Sequence, residues 1–405
     1  MNPFEFYNPV RVIFEPGGVA KVGAVAEPYG KNVLLVSYGE NTFLTDVLDK
    51  VTASLQEREI IVSPFFEISP NPTIEEVGRG VELCKKEKID LVIGVGGGSV
   101  MDAAKAIAAG VYYEGDLWNM VASSHKAGST VAFPSKALPT VMVPTMAATG
   151  SEMNCCAVLS NEATKEKSYV WDDCLFPQAA VVDSELTFSL PAYQTACGAA
   201  DIFSHALEFY INGLEDTPVN YPIQEGLLRT VLLRAEEVLE NPNSLQGRTD
   251  LQWASIVALC GISQPGNAWT PMHQVGHVLS ARFGVAHGAS LALVMPSWMR
   301  KMWPTRKERY LEFATRVMDV PMGGEESTIL AGIDAFESFL NKIGIATRLD
   351  AFGIKEEDLD DVVADVRRIS FNDDDMLPSH TPLTAETIRE ILTIALTKDA
   401  EKQLF

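Results

Sequence analysis

Short apolar runs rich in β-branched residues recur through the first half of the chain and stop near residue 190. Val33–Val36, Glu59–Val62, Leu91–Val95, Val141–Val143 and Ala180–Asp183 are each bounded by turn-forming residues. Runs that are apolar at nearly every position fit strands covered on both faces, as in a parallel sheet between helices. Helix-like spacing fills Thr42–Arg58, Thr73–Lys88 and Ser99–Gly110 between them. That alternation predicts an α/β domain. A pair around Val10–Phe14 is expected to add an antiparallel edge, and the weakly patterned stretch 122–137, with His125 in it, to form a loop.

Beyond Leu190 the texture changes. Amphipathic helical patterns take over, for example Pro191–Tyr210, Pro222–Leu239, Gln252–Ile262 and Ala385–Thr397. The pattern predicts a mostly parallel, Rossmann-like sheet over residues 1–187, followed by an all-α domain over 188–405. A chain of 405 residues is also longer than one compact core usually accommodates.

Composition narrows the function classes. Hydrophobic residues make up 47% and charged residues 21%, an ordinary globular balance that excludes disorder as the default state. With 32 Lys+Arg against 54 Asp+Glu, the net charge is −22, and no local basic cluster reverses it. A nucleic-acid partner is therefore not expected. No run of about 18 apolar residues is available to cross a membrane. The start, Met1–Pro9, has neither the basic nor the apolar region of a signal peptide. Cys84, Cys155, Cys156, Cys174, Cys197 and Cys260 form no C-x-x-C pair and read as buried thiols of a cytoplasmic protein.

Two segments carry candidate chemistry. In the first, Leu91–Val95 runs into Gly96, Gly97, Gly98 and Ser99, and a good helix sequence follows. Glycines permit close backbone approach, and a helix N-terminus offers N–H groups and a positive dipole end, which suit a pyrophosphate. The match to a dinucleotide fingerprint is incomplete, because the last small residue is Ser99 and the loop follows about the third strand. A tight structural turn is the alternative reading. Asp102 stands at a capping-box distance from Ser99 and reads as a cap or as a ligand contact. Two more loops follow strands, Pro144–Glu152 and Tyr38–Asn41, and ligands gather at strand carboxyl ends in such sheets.

The second segment holds most of the histidines. Asp201 and His205 are four apart in a helical pattern of small apolar residues, where an uncompensated carboxylate would be costly. His273 and His277 form another such pair, and His287 precedes a glycine. A carboxylate with several imidazoles suits Zn²⁺ or Fe²⁺, and the lack of neighbouring cysteines argues against a structural zinc site. Five donors are present where four ligands are usual, and spacing does not choose among them. A phosphate loop in one domain and a metal in the other suggest a cleft between them for hydride transfer.

Gly96-Gly97-Gly98-Ser99-x-x-Asp102-x-Ala104-Lys105, Pro144-Thr145…Thr149-Gly150-Ser151-Glu152, Gly198-x-x-Asp201-x-x-x-His205 and His273-x-x-x-His277…His287-Gly288 together resemble the iron-containing (group III) alcohol dehydrogenases. Tyr113–Trp118 and Pro296–Met299 resemble the butanol dehydrogenase-like branch. The resemblance spans essentially the whole chain. It implies an NAD(P)-linked alcohol dehydrogenase or aldehyde reductase, with Asp201, His205, His273 and His287 holding Fe²⁺ or Zn²⁺. It further implies His277 as a proton relay, and Asn71, Thr145, Thr149 and Lys167 near the cofactor. Many members carry an Asp after the first long strand, where this chain has Tyr38, Gly39, Glu40 and Asn41. Loss of that carboxylate favours NADP, while Glu40 keeps NAD as the alternative.

A polyol dehydrogenase and a lyase of the dehydroquinate synthase type share the superfamily resemblance. The lyase would want basic residues for a phosphorylated substrate, and only Arg282 and Arg300 lie near the histidines in sequence. Trp269, Met272 and Phe283 read as core, with an apolar substrate pocket as the alternative. A small alcohol or aldehyde is the expected substrate, and a homodimer is the default assembly for a soluble enzyme.

Overall fold

The computed structural model describes residues 3–39, 44–126, 133–264 and 269–396. The chain divides into two compact units. One comprises Tyr7–Leu190 with Pro242–Cys260; the other comprises Pro191–Asn241 and Gly261 onward, with the N-terminal residues up to Phe6.

The first unit is built on strands β1 (Arg11–Phe14), β2 (Asn32–Tyr38), β3 (Ile61–Ile68), β4 (Leu91–Gly96), β5 (Thr140–Pro144), β6 (Cys156–Asn161), β7 (Glu166–Trp171) and β8 (Ala179–Val182). Six of these form one sheet in the order β1-β8-β5-β4-β2-β3, with every pairing parallel. Helices α1 (Val22–Ala26), α2 (Thr45–Gln56), α3 (Ile74–Glu87), α4 (Gly98–Gly110) and α5 (Ala122–Lys126) accompany it.

Side-chain alternation assigns the two cores. Val33, Leu35, Leu91, Ile93, Val141 and Val143 pack on one face with Val22 of α1 and Val51 of α2. Leu34, Val36, Val92 and Met142 pack on the other face with Val81 of α3 and Ala104 of α4. Because both faces are covered, neither set alternates with polar residues, which is why the strands read as continuous apolar runs.

The edge around Val10–Phe14 differs from expectation. β1 runs parallel to β8, with Arg11 opposite Ala179 and Phe14 opposite Val182, so no antiparallel edge forms there. The pairing follows from a partner about 170 residues away, which no local pattern reveals. The one antiparallel pair among the described strands is the separate ribbon of β6 and β7. Part of the expected loop at 122–137 is helical as α5, and residues 127–132 lie outside the described residues.

The second unit holds α6 (Ala192–Asn212), α7 (Asn220–Glu240), α9 (Pro271–Phe283), α10 (His287–Met302), α11 (Lys307–Glu312), α12 (Glu325–Lys342), α13 (Leu359–Ser370) and α14 (Ala385–Leu396). α6 is buried without interruption from Thr195 to Asn212, the signature of a helix surrounded by others. Its Phe203 stacks on Phe336 of α12 at 4.5 Å. α8 (Leu245–Leu259) belongs with the sheet unit: Ser255 Oγ accepts the backbone N–H groups of Ala148 and Gly150, each at 3.1 Å, and Gln252 accepts from Ser184 at 2.8 Å. No described helix is long and apolar enough to cross a membrane, and none of the six cysteines is in a disulfide.

Candidate metal centre and glycine-rich loop

α6 presents Asp201 and His205 one turn apart, as the spacing predicted. α9 presents His273 and His277, and His287 is the first residue of α10. Three imidazole Nε2 atoms converge on one carboxylate oxygen, Asp201 Oδ1: His287 at 3.4 Å, and His205 and His273 each at 3.9 Å. The rings of His205 and His273 stack with centroids 4.7 Å apart. His277 packs its ring against His287 at 5.2 Å and His273 at 6.1 Å.

Asp201, His205, His273 and His277 are buried, while the His287 side chain keeps 23% exposure and forms the open side of the cluster. Burial, reinforced by the neighbouring His273, holds the His205 imidazole well below its ordinary pKa. A neutral ring is the form that ligates metals.

A close helix contact places His287. A Cβ on Gly288 would fall 2.0 Å from the Cys197 carbonyl oxygen, so only glycine lets the first turn of α10 lie against α6. One residue in the cluster was not singled out in the sequence. Glu208, fully buried on α6, accepts the Met272 backbone N–H at 2.5 Å and pairs with His273 Nδ1. Its signal was the i, i+4, i+7 stripe that it completes with Asp201 and His205.

In the sheet unit, β4 ends at Gly96, Gly97 is the N-cap of α4, and Gly98 opens the helix. None of the three has a positive φ; their smallness serves close approach instead. A Cβ would fall 2.6 Å from Val100 at Gly96, 2.9 Å from the Tyr38 hydroxyl at Gly97, and 2.6 Å from Thr149 at Gly98. Tyr38 hydrogen-bonds the Gly97 backbone and Ser99, and burial pushes its hydroxyl up to about 12.

The other candidates gather here. Asn71, in the left-handed region at φ 61°, donates its N–H to Ser99 Oγ at 3.2 Å and accepts from Lys167 Nζ at 2.8 Å. Thr145 donates its N–H to the Gly96 carbonyl at 2.9 Å, and Thr149 Oγ1 accepts from the Ser151 N–H at 3.2 Å. Gly39, at the end of β2, donates to Ile68 O at 3.2 Å. Glu40 and Asn41 lie outside the described residues. The ends of β2 and β4 are adjacent while their outgoing connections lead to opposite sides of β2, the switch-point geometry at which such sheets bind ligands.

Asp102 does not form the Ser99 capping box, because the helix begins earlier, at Gly98. Its carboxylate accepts from Ser151 Oγ at 2.6 Å and from the Val158 N–H at 3.0 Å. The ammonium of Lys105, also buried, donates to Ser151 Oγ, Asn154 O, Asn154 Oδ1 and Cys156 O at 2.8–3.0 Å. Together these residues clamp α4 to 151–158. Glu152 beside them is buried, and burial pushes its carboxyl up to about 7.

Arg282 pairs with Asp361 and Asp365, and Arg300 with Asp334 and Glu337. Met272 is fully buried, whereas Trp269 and Phe283 are half-buried.

The family model described as iron-containing alcohol dehydrogenase matches residues 9–184, and that of the C-terminal region of the same family matches 195–396. A probable NADH-dependent butanol dehydrogenase of Bacillus subtilis is 36% identical over 89% of this chain and 92% of its own length. The NADPH-dependent aldehyde reductase YqhD of Escherichia coli is 31% identical over 87% of this chain and 90% of its own. The crystal structure of an NADH-dependent butanol dehydrogenase from Thermotoga maritima superposes with a TM-score of 0.91 at 36% identity, covering 98% of this chain and 99% of that one.

Proposed function

The chain belongs to the iron-containing alcohol dehydrogenase family, and on that premise we propose that it transfers hydride between nicotinamide C4 and a small primary alcohol or aldehyde. Asp201, His205, His273 and His287 would hold the divalent ion, Fe²⁺ or Zn²⁺. The observation that carries this reading is the convergence of three Nε2 atoms on Asp201 Oδ1 at 3.4–3.9 Å. Asp201, His205 and His273 each bring a donor atom within 4.8 Å of the others, a spacing one ion with bonds of about 2.1 Å can draw together. His287, 3.4 Å from Asp201 Oδ1, would be the fourth donor. When bound, such an ion acts as a Lewis acid that favours alkoxide character in an alcohol or polarises an aldehyde carbonyl.

The chain's own residues supply the rest. We assign His277 the proton, exchanged between the substrate oxygen and solvent as the hydride moves. Gly97 caps α4 without a side-chain hydrogen bond, and the first-turn N–H groups there suit the cofactor pyrophosphate. Gly96, Gly98 and Ser99 belong to the same cradle, with Gly39, Asn41, Asn71, Thr145, Thr149 and Lys167 as its further contacts. Asp102 would support the cradle through its bonds to Ser151 Oγ and the Val158 N–H. The missing carboxylate at Tyr38-Gly39 supports NADP, whereas Glu40 and NADH-dependent relatives at 32–36% identity support NAD.

The test is to strip the metal, restore Fe²⁺ or Zn²⁺ anaerobically, and follow NADH and NADPH oxidation with butanal. Turnover that returns with the ion is expected, and the ratio of the two rates reads the cofactor preference. Stoichiometric ion and bound nicotinamide without aldehyde-dependent oxidation would overturn the reading.

A further inference from the structure

The proposed reaction leaves Glu208 without a task, although it is completely buried in the helix that carries Asp201 and His205. An ionisable side chain in that position needs compensating partners. They come from the start of α9. The first N–H groups of a helix require an acceptor, and the N-cap Thr270 makes no side-chain capping bond. Glu208 Oε1 instead accepts the Met272 N–H at 2.5 Å, and the His273 backbone N–H also bonds the carboxylate. The other oxygen, Oε2, faces His273 Nδ1. A ring whose Nδ1–H is held by a carboxylate keeps its lone pair on Nε2. In His273 that Nε2 lies 3.9 Å from Asp201 Oδ1, inside the donor cluster.

We propose that Glu208 is the positioning residue of the metal centre: it caps α9 in place of Thr270 and, through the Nδ1 proton, fixes His273 as the Nε2 tautomer aimed at Asp201. One helix thus supplies two donors and orients a third on its neighbour. The inference rests on the reading of His273 as a ligand.

Glu208→Gln tests it with an isosteric side chain. In the wild type the α9 backbone and the ring are met by different oxygens, and an amide offers an oxygen at only one of those two places and an NH₂ at the other. With the oxygen kept on the backbone, its NH₂ faces Nδ1 and drives the His273 proton to Nε2. The measurements are Zn²⁺ affinity of the full chain against a chromophoric chelator and ¹⁵N-histidine NMR of the metal-free protein. The wild type should bind one Zn²⁺ per chain and show an Nδ1–H tautomer at His273. Glu208→Gln should bind Zn²⁺ about 10–100-fold more weakly and show the Nε2–H tautomer. Unchanged affinity with an unchanged tautomer would overturn the inference.

If the variant folds poorly, adding Thr270→Asp restores a cap without restoring the acceptor at Nδ1. Thermal stability should then recover while Zn²⁺ affinity stays low; recovery of both would reduce Glu208 to a helix cap and overturn its role at the ring. A wild type that binds no Zn²⁺ would contradict the ligand reading instead, and the tautomer change would still decide what Glu208 does to His273.

Discussion

Each imidazole around Asp201 is placed by a different local device. His205 follows from helical periodicity, His273 from the first turn of α9, and His287 from the contact that Gly288 permits. His277→Ala should lower turnover about 10²–10⁴-fold while leaving nicotinamide binding intact, checked by steady-state kinetics beside a fluorescence titration with NAD(P)H. Asp102 is a different kind of residue, buried beside Lys105 and bonded to Ser151 Oγ and the Val158 N–H. Asp102→Ala leaves the Ser151 hydroxyl and the Val158 N–H without that acceptor and should cost about 1–3 kcal/mol in urea unfolding. At this scale the sequence was most informative where several rare side chains recur. Six histidines with two i, i+4 pairings stand out, whereas one glutamate on an apolar helix does not, and Glu208 was missed for that reason.

At the scale of elements, α10 depends on a residue with no side chain. A Cβ at position 288 meets main-chain carbonyl, which cannot rotate away. Gly288→Ala should therefore push α10 off α6, lowering stability by about 1–3 kcal/mol and reducing metal content in the same preparation. α12 is tied in another way. Glu337 bonds Arg300 of α10 at 2.7 Å, Arg348 at 2.8 Å and Thr347 at 3.0 Å. Burial alone would raise its carboxyl, but the two guanidiniums and the hydroxyl outweigh it and hold the group below its ordinary 4.5. A carboxyl depressed on folding adds stability that is complete above the unfolded value and fades as pH falls through the folded one. Glu337→Gln should accordingly lower Tm at pH 7, and its difference from the wild type should shrink as the pH falls below about 4.5. The strands were legible because β-branched runs mark burial on two faces. The direction of β1 was not, because β8 supplies its partner from the far end of the unit.

At the scale of the whole molecule, the change of texture near residue 190 separates a sheet-building half from a helical one, and both halves match the same family in order. Chain position misplaces α8, whose Ser255 and Gln252 serve the sheet unit. Polar contacts of that kind leave no trace in hydrophobic periodicity. The division of proposed chemistry follows the division of the chain: the sheet unit carries the proposed phosphate cradle, and the helical unit carries every proposed metal donor. The most direct test of the central claim is the metal content of the purified protein, measured by mass spectrometry for wild type, His277→Ala and His287→Ala after anaerobic loading with one divalent ion. One ion per chain in the wild type and in His277→Ala, with a depleted site in His287→Ala, is the predicted result. An empty site in His277→Ala, or full occupancy without His287, would contradict the assignment of ligands and relay.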